Sequence, residues 1–201
     1  MARPAMPKAV KEDVLAEYSH LCAVCAKPNP QLHHIDEDNT NNDRINLLPL
    51  CPNHHLSDQH NPTRRIAIPK LQIFRKHKDP YILLPQFDPI YVRQLFLDDV
   101  QETEEPVSDI LHSVDELVAF VKALKMGEFY GQQVATLAGN VVWSFFIIRD
   151  NGPTAEDIAN DKKQQATYRR DLIANREKIK ALLVELIRYQ DWPPPQSEAR
   201  A

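Results

Sequence analysis

Only 4 glycines and 3 cysteines occur among the 201 residues, and the longest apolar run, Val141 to Ile148, is short. A bilayer-crossing helix needs about 20 predominantly apolar residues, so this run is far too short to span a bilayer. The opening Met1-Ala-Arg-Pro-Ala has no apolar stretch of the kind that secretory leaders carry, and a cytoplasmic protein is expected. No repeat, phosphate-binding loop or second catalytic motif is found in the C-terminal half, and the 16 prolines outnumber the glycines. Positive charge is also short: the net charge of −4 argues at first against a nucleic-acid partner. The charge is uneven, however. Residues 1–97 hold 12 Lys/Arg and 10 Asp/Glu, giving +2, while residues 98–201 hold 12 and 18, giving −6; seven of the 8 histidines lie in the first part.

What is present is concentrated there. Cys22-Ala-Val-Cys25 and Cys51-Pro-Asn-His54 each place two residues between potential ligands, the spacing at which a tight knuckle turn aims both side chains at one ion. Together they supply the four N/S ligands of a closed tetrahedral zinc site, and we read Cys22, Cys25, Cys51 and His54 as a structural Zn²⁺ site. This uses every cysteine and leaves none for a disulfide. A redox CxxC needs no partner pair and usually follows a strand of a βαβ unit, which is absent here. The plainer alternative makes Cys22 and Cys25 small hydrophobes at a helix end.

Between the knuckles, apolar and polar residues alternate around Leu32 and Ile35. An Asn/Asp-rich stretch from Asp36 to Asp43 follows, then a second apolar run to Leu50. Two short strands joined by a loop are expected, with a short helix starting near His55. The stretches LCAVC, LHHI, INLLPLC and CPNHH, spread over roughly residues 15–60, resemble the HNH endonuclease family in its zinc-knuckle, ββα-metal form. The resemblance implies that His33 and His55 bind a catalytic divalent cation such as Mg²⁺ or Mn²⁺. It further implies that His34 is the general base and that Asn46 holds the active-site loop in shape.

The chemistry asks for the same residue types. Attack on a phosphodiester needs water deprotonated near neutral pH, a task suited to a neutral imidazole. A cation stabilises the charge that develops on the phosphate and the leaving oxygen. Adjacent strand residues point to opposite faces, so His33 and His34 fit two roles better than one unless the strand bends or ends there. An imidazole-rich site accepts Mn²⁺, Ni²⁺ or Co²⁺ readily, whereas Mg²⁺ prefers oxygen, so metal promiscuity is expected. The sequence departs from the family pattern in three places. His33 stands where an Asp is common, the loop has no glycine, and Gln59 stands four residues after His55. His60 reads as a helix-end residue, and Asn41 and Asn42 are expected to supply the left-handed turn conformation. The Asp36–Asp43 run is not a calcium loop, since its sixth and twelfth positions are Asn41 and Leu47 where Gly and Glu are needed. The plain reading of His33 and His34 is a surface pair on a strand edge.

Arg64, Arg65, Lys70, Arg75, Lys76 and Lys78, interleaved with apolar residues, are candidate backbone-phosphate contacts, as is Arg44; the alternative is an ordinary solvated helix face. Proline turns at Asp79-Pro80, Leu84-Pro85 and Asp88-Pro89 cut the chain into short pieces. Asp98 to Glu116 then carries eight acids without a Lys or Arg, and the domain boundary is expected there. Ser113-Val-Asp-Glu116 is read as a capping box that opens a helix, and residues 132–148 as a buried central helix. Thr154-Ala-Glu-Asp157 is read as the cap of a third, long helix with Ile179, Leu182, Leu183, Leu186 and Ile187 on one stripe.

The expected fold is α+β: a small zinc-stabilised ββα-metal module followed by an all-α helical region. Its parts are a nuclease module with a basic extension at 1–97, an acidic linker at 98–112, a helical bundle for targeting, oligomerisation or regulation at 113–190, and an unstructured tail at 191–201. The expected activity is metal-dependent hydrolysis of DNA, rather than RNA, leaving a 5′-phosphate and a 3′-hydroxyl as the resemblance implies. The helical half is expected to serve a homodimer or a larger complex. The alternatives are a non-catalytic zinc module that binds nucleic acid or protein, and a nuclease subunit of a bacterial anti-phage defence assembly that is active only with its partner.

Overall fold

A computed structural model describes residues 6–101, 106–139 and 154–191, in two compact units, Met1–Pro85 and Gln86–Ala201. The fold is α+β, with an N-terminal hairpin carrying the Cys/His cluster and a helical C-terminal region. In the first unit α1 (Lys8–Glu17) precedes the first knuckle. β1 (Gln31–His34) then pairs antiparallel with β2 (Leu47–Leu50), Gln31 opposite Leu50 and His34 opposite Leu47. All four β2 residues are buried, and with Val14, Ile35, Leu71, Phe74 and Ile82 they form this unit's core. Pro49 is tolerated because in a two-stranded sheet each strand is an edge, where a missing N–H is accommodated, and its carbonyl accepts from Ala23 N–H (2.8 Å), tying the first knuckle to the hairpin.

Residues Asn53–Gln59 form a π-helix, in which His60 N–H reaches back five residues to the His55 carbonyl at 3.3 Å. α2 (Ile68–His77) starts with Pro69 in its first turn, where a missing N–H costs nothing, and stops at Lys78 in the left-handed conformation. Short 3₁₀ turns at Pro80–Leu83 and Pro85–Phe87 follow the proline punctuation.

The second unit holds α3 (Asp88–Gln94), α4 (Phe96–Asp99), α5 (Val107–Lys122), α6 (Gly127–Ala138) and α7 (Ala155–Ile187). Here the boundary expected in the acidic segment is corrected. Leu97 is buried in this unit and Asp98 pairs with the buried Lys180 of α7, so the start of that segment is packed structure, and the division falls earlier, among the prolines. Ser113 likewise does not open a helix. α5 starts after Pro106, because Val107 and Ile110 extend the buried stripe of Val114, Leu117 and Val121 by one more turn. α6 runs 127–138 rather than from 132, and it buries one side only; residues 140–148 of the expected central helix lie outside the described residues, as does the tail from 192. Close approach of α5 and α6 demands Gly127, where a Cβ would meet the Val121 carbonyl at 2.1 Å. The cap of α7 is formed as read: Thr154 Oγ1 accepts from Asp157 N–H (3.2 Å) and Asp157 Oδ2 from Thr154 N–H (2.8 Å). No helix among the described residues is long and apolar enough to cross a membrane.

Candidate metal centre and active site

The knuckles are built by turns. Cys22 N–H donates to the Lys27 carbonyl and Ala26 N–H returns to the Cys22 carbonyl, with Ala26 in the left-handed region (φ 54°). On the other side His55 N–H donates to the Cys51 carbonyl as the π-helix begins. These turns bring Cys22, Cys25, Cys51 and His54 together, their ligand atoms all within 4.8 Å of one another. The separations are Cys25 Sγ to Cys51 Sγ 3.8 Å, and His54 Nδ1 to Cys51 Sγ 3.3 Å and Cys22 Sγ 3.5 Å. A tetrahedral ion with bonds of about 2.3 Å to sulfur and about 2.0 Å to nitrogen has edges of about 3.8 and 3.5 Å. The cluster fits a structural zinc in a ββα-like module. His54 offers Nδ1 and turns Nε2 toward Asp58 Oδ2 at 3.9 Å, a carboxylate behind a ligand histidine. Burial and the neighbouring sulfurs push the Cys25 thiol up to about 11, whereas for Cys51 the opposing effect of burial is outweighed by the His54 N–H and the nearby sulfurs.

A second cluster lies on the next residue of the π-helix. The rings of His33, His55 and His60 stand with centroids 5.4, 6.0 and 4.9 Å apart, and their ligand nitrogens also lie within 4.8 Å of one another. His55 Nε2 faces His60 Nε2 at 3.4 Å, the separation of two nitrogens that each lie about 2.1 Å from a shared ion. The donor set is wholly imidazole. Burial first, then His55, His60 and His34, lower the His33 pKa to about 4, so its ring is neutral and offers a lone pair at ordinary pH. His55 is lowered in the same direction, by burial and then by His60 and His34.

His33 and His34 part company because adjacent residues of a strand point to opposite faces. His33 joins the ring cluster, while His34 Nε2 lies 3.3 Å from Asn42 Oδ1. The Asn42 amide nitrogen donates to the Thr40 carbonyl (3.4 Å), which commits its oxygen to His34. Both histidines line a cleft of about 480 Å³ with His55, Gln59, His60, Glu37 and Arg65. Asn46 lies buried beneath the loop. It accepts from Asp36 N–H (3.0 Å) and donates to Asp36 Oδ1 (2.8 Å) and to the Asn41 carbonyl (3.0 Å). Burial raises the Asp36 pKa, yet the Asn46 and Asn41 amides outweigh this and hold the carboxyl below its usual range. The left-handed residue of this loop is Glu37 (φ 64°), not Asn41 or Asn42 as expected, since both asparagines are committed to side-chain hydrogen bonds within the loop.

The basic strip divides. Arg75 is a correction: it is 3% exposed and all five of its N–H groups are used. They reach the Leu47 carbonyl (2.8 Å), Glu17 Oε1 (3.0 Å) and Oε2 (2.6 Å), Tyr18 Oη (3.4 Å) and the Arg44 carbonyl (3.0 Å). Lys70 is also buried and reaches the Leu84 carbonyl at 3.5 Å, so neither residue presents its charge to a phosphate. Arg64, Arg65, Lys76, Lys78 and Arg44 are exposed; Lys78 pairs with Glu17 and Arg44 with Asp13, away from the histidine cleft, while Arg65 stands at its rim, 3.0 Å from Glu37 Oε1. Sequence reading passed over Gln31, took Asn42 for a turn residue rather than the partner of His34, and took His60 for a helix-end residue rather than a member of the cluster. For His60 the helix type was the obstacle, because in an α-helix a residue five places on from His55 lies off its face. Comparison of the chain with protein-family models, with curated proteins and with solved structures gives no match.

Proposed function

We propose that the chain is an HNH-type endonuclease that hydrolyses DNA phosphodiester bonds with the help of a divalent cation. One observation carries the reading. Three imidazoles meet at a point beside a zinc-fitting cluster, and a fourth, His34, lines the same cleft in a separate hydrogen-bonded setting. His33, His55 and His60 would hold the cation, which would supply positive charge opposite the charge developing on the phosphate and the leaving 3′ oxygen. Their all-nitrogen donor set favours Mn²⁺, Co²⁺ or Ni²⁺ over Mg²⁺. His34 takes the proton from the attacking water. With Nε2–H given to Asn42, its lone pair is on Nδ1. Asn46 acts by bracing the loop from Asp36 to Asn41, and Arg65 meets a backbone phosphate at the rim by exchanging its Glu37 partner.

The test is cleavage of supercoiled plasmid by wild type and His34→Ala in Mn²⁺, Mg²⁺ or EDTA. Cutting that needs the cation, is stronger in Mn²⁺ and disappears in a folded, zinc-loaded variant is the expected result. A folded, zinc-loaded wild type that cuts under no condition would sink the proposal and favour a binding module.

A further inference from the structure

One ring of the histidine cluster is held from behind. Gln31 Oε1 lies 3.0 Å from His55 Nδ1, on the side of the ring away from the Nε2 that faces His60. A carbonyl oxygen can only accept, so the hydrogen of this bond belongs to Nδ1, and a neutral ring then keeps its single lone pair on Nε2. The placement follows from the strand. Gln31 and His33 are two residues apart on β1 and so share a face, which is the face turned toward the π-helix. One four-residue strand thereby supplies both a ring of the cluster and the group that orients another ring.

We propose that Gln31 is a positioning residue of the trihistidine centre, its amide oxygen fixing His55 in the Nδ1-protonated tautomer that offers Nε2 to the cation. This role rests on the metal-binding reading given above. If the amide were turned the other way, its nitrogen would donate to Nδ1, the ring hydrogen would sit on Nε2 in the middle of the cluster, and a cation would have to displace it. Glutamate at position 31 separates the two arrangements, because it has nearly the same length and can only accept. Partners of this kind behind a metal-ligating histidine typically change metal affinity about 10- to 100-fold when removed.

The experiment uses the full chain with zinc retained. Nitrogen-15 NMR of the histidine rings reads the His55 tautomer before any further ion is added, and a Mn²⁺ titration followed by the free-ion EPR signal reads affinity. The wild type should carry the His55 hydrogen on Nδ1 and bind one Mn²⁺. Gln31→Leu should lose that tautomer preference and bind Mn²⁺ about tenfold more weakly. Gln31→Glu should bind at least as tightly as wild type, with zinc content equal in all three. A hydrogen on Nε2 in the wild type, unchanged affinity in Gln31→Leu, or equal losses in Gln31→Leu and Gln31→Glu would overturn the role. A wild type with the Nδ1 hydrogen but no Mn²⁺ bound would refute the metal reading itself, and the role with it.

Discussion

At the scale of single residues, two arginines of the same basic strip have opposite uses. Arg75 is a buried tie between α1, α2 and β2, with Glu17 as its counter-ion. Removing Glu17 leaves the buried guanidinium without its counter-ion, but Glu17 itself is part-exposed and Arg75 keeps its other hydrogen bonds, so Glu17→Gln should destabilise the first unit by about 1 kcal/mol, measurable by denaturant titration. Hydrogen bonding from Arg75, against the opposing effect of burial and helped by Lys78, lowers the Glu17 pKa from 4.5 to about 2. A depressed carboxylate pKa stabilises the fold above its unfolded value, so stability should hold above pH 4.5 and fall as the pH drops toward 2, and Glu17→Gln should lack that part of the acid dependence. Arg65→Ala should do the reverse. Stability should stay put because its ion pair with Glu37 is exposed, while on the proposed nuclease reading DNA binding should weaken across all sequences and the salt slope should fall by about one contact.

At the scale of elements, the π-helix decides the candidate site. It carries the zinc-cluster residue His54 in its first turn and widens the helix so that His60 comes back to His55. His60→Ala should therefore weaken Mn²⁺ binding at the histidines by about tenfold or more without loss of zinc, as metal analysis and the same EPR titration would show. The knuckle spacing, the alternation around Leu32 and the capping box at Thr154 are local signals, and the elements they pointed to are present. The π-turn has no such signal. Spacing rules assume the α-helical period, under which Gln59 rather than His60 would follow His55, and so His60 reads from the sequence as a helix-end residue instead of a third ring of the cluster. Arg75 failed for another reason: only the tertiary fold shows that Glu17, far away in sequence, lies against it. At Ser113 a good local cap lost to a longer apolar stripe beginning at Val107.

At the scale of the whole molecule, the two units draw on different stabilising terms. The first is small and carries the zinc-fitting cluster, while the second buries long helical stripes along α5, α6 and α7. Chelation should accordingly abolish hydrogen-exchange protection in β1, β2 and α2 while leaving protection in α5 and α7. Among the described residues one trihistidine cluster is present per chain, so on the proposed nuclease reading each encounter should cut one strand. Nicked plasmid should accumulate before linear plasmid, unless two chains are brought together on the duplex.

Consecutive residues serve the two clusters: His54 turns to the sulfurs and His55 to the imidazoles, across a single peptide bond. Reconstitution then becomes a question of sequence in time. A sample stripped of ions has lost the frame that presents His55 as well as the ion that His55 would hold. Mn²⁺ supplied first should meet a scattered set of histidines, whereas zinc supplied first should rebuild the frame for Mn²⁺ to complete. The same two ions added in opposite orders should restore Mn²⁺ binding at different rates, and the slower course should match the rate at which the knuckles refold.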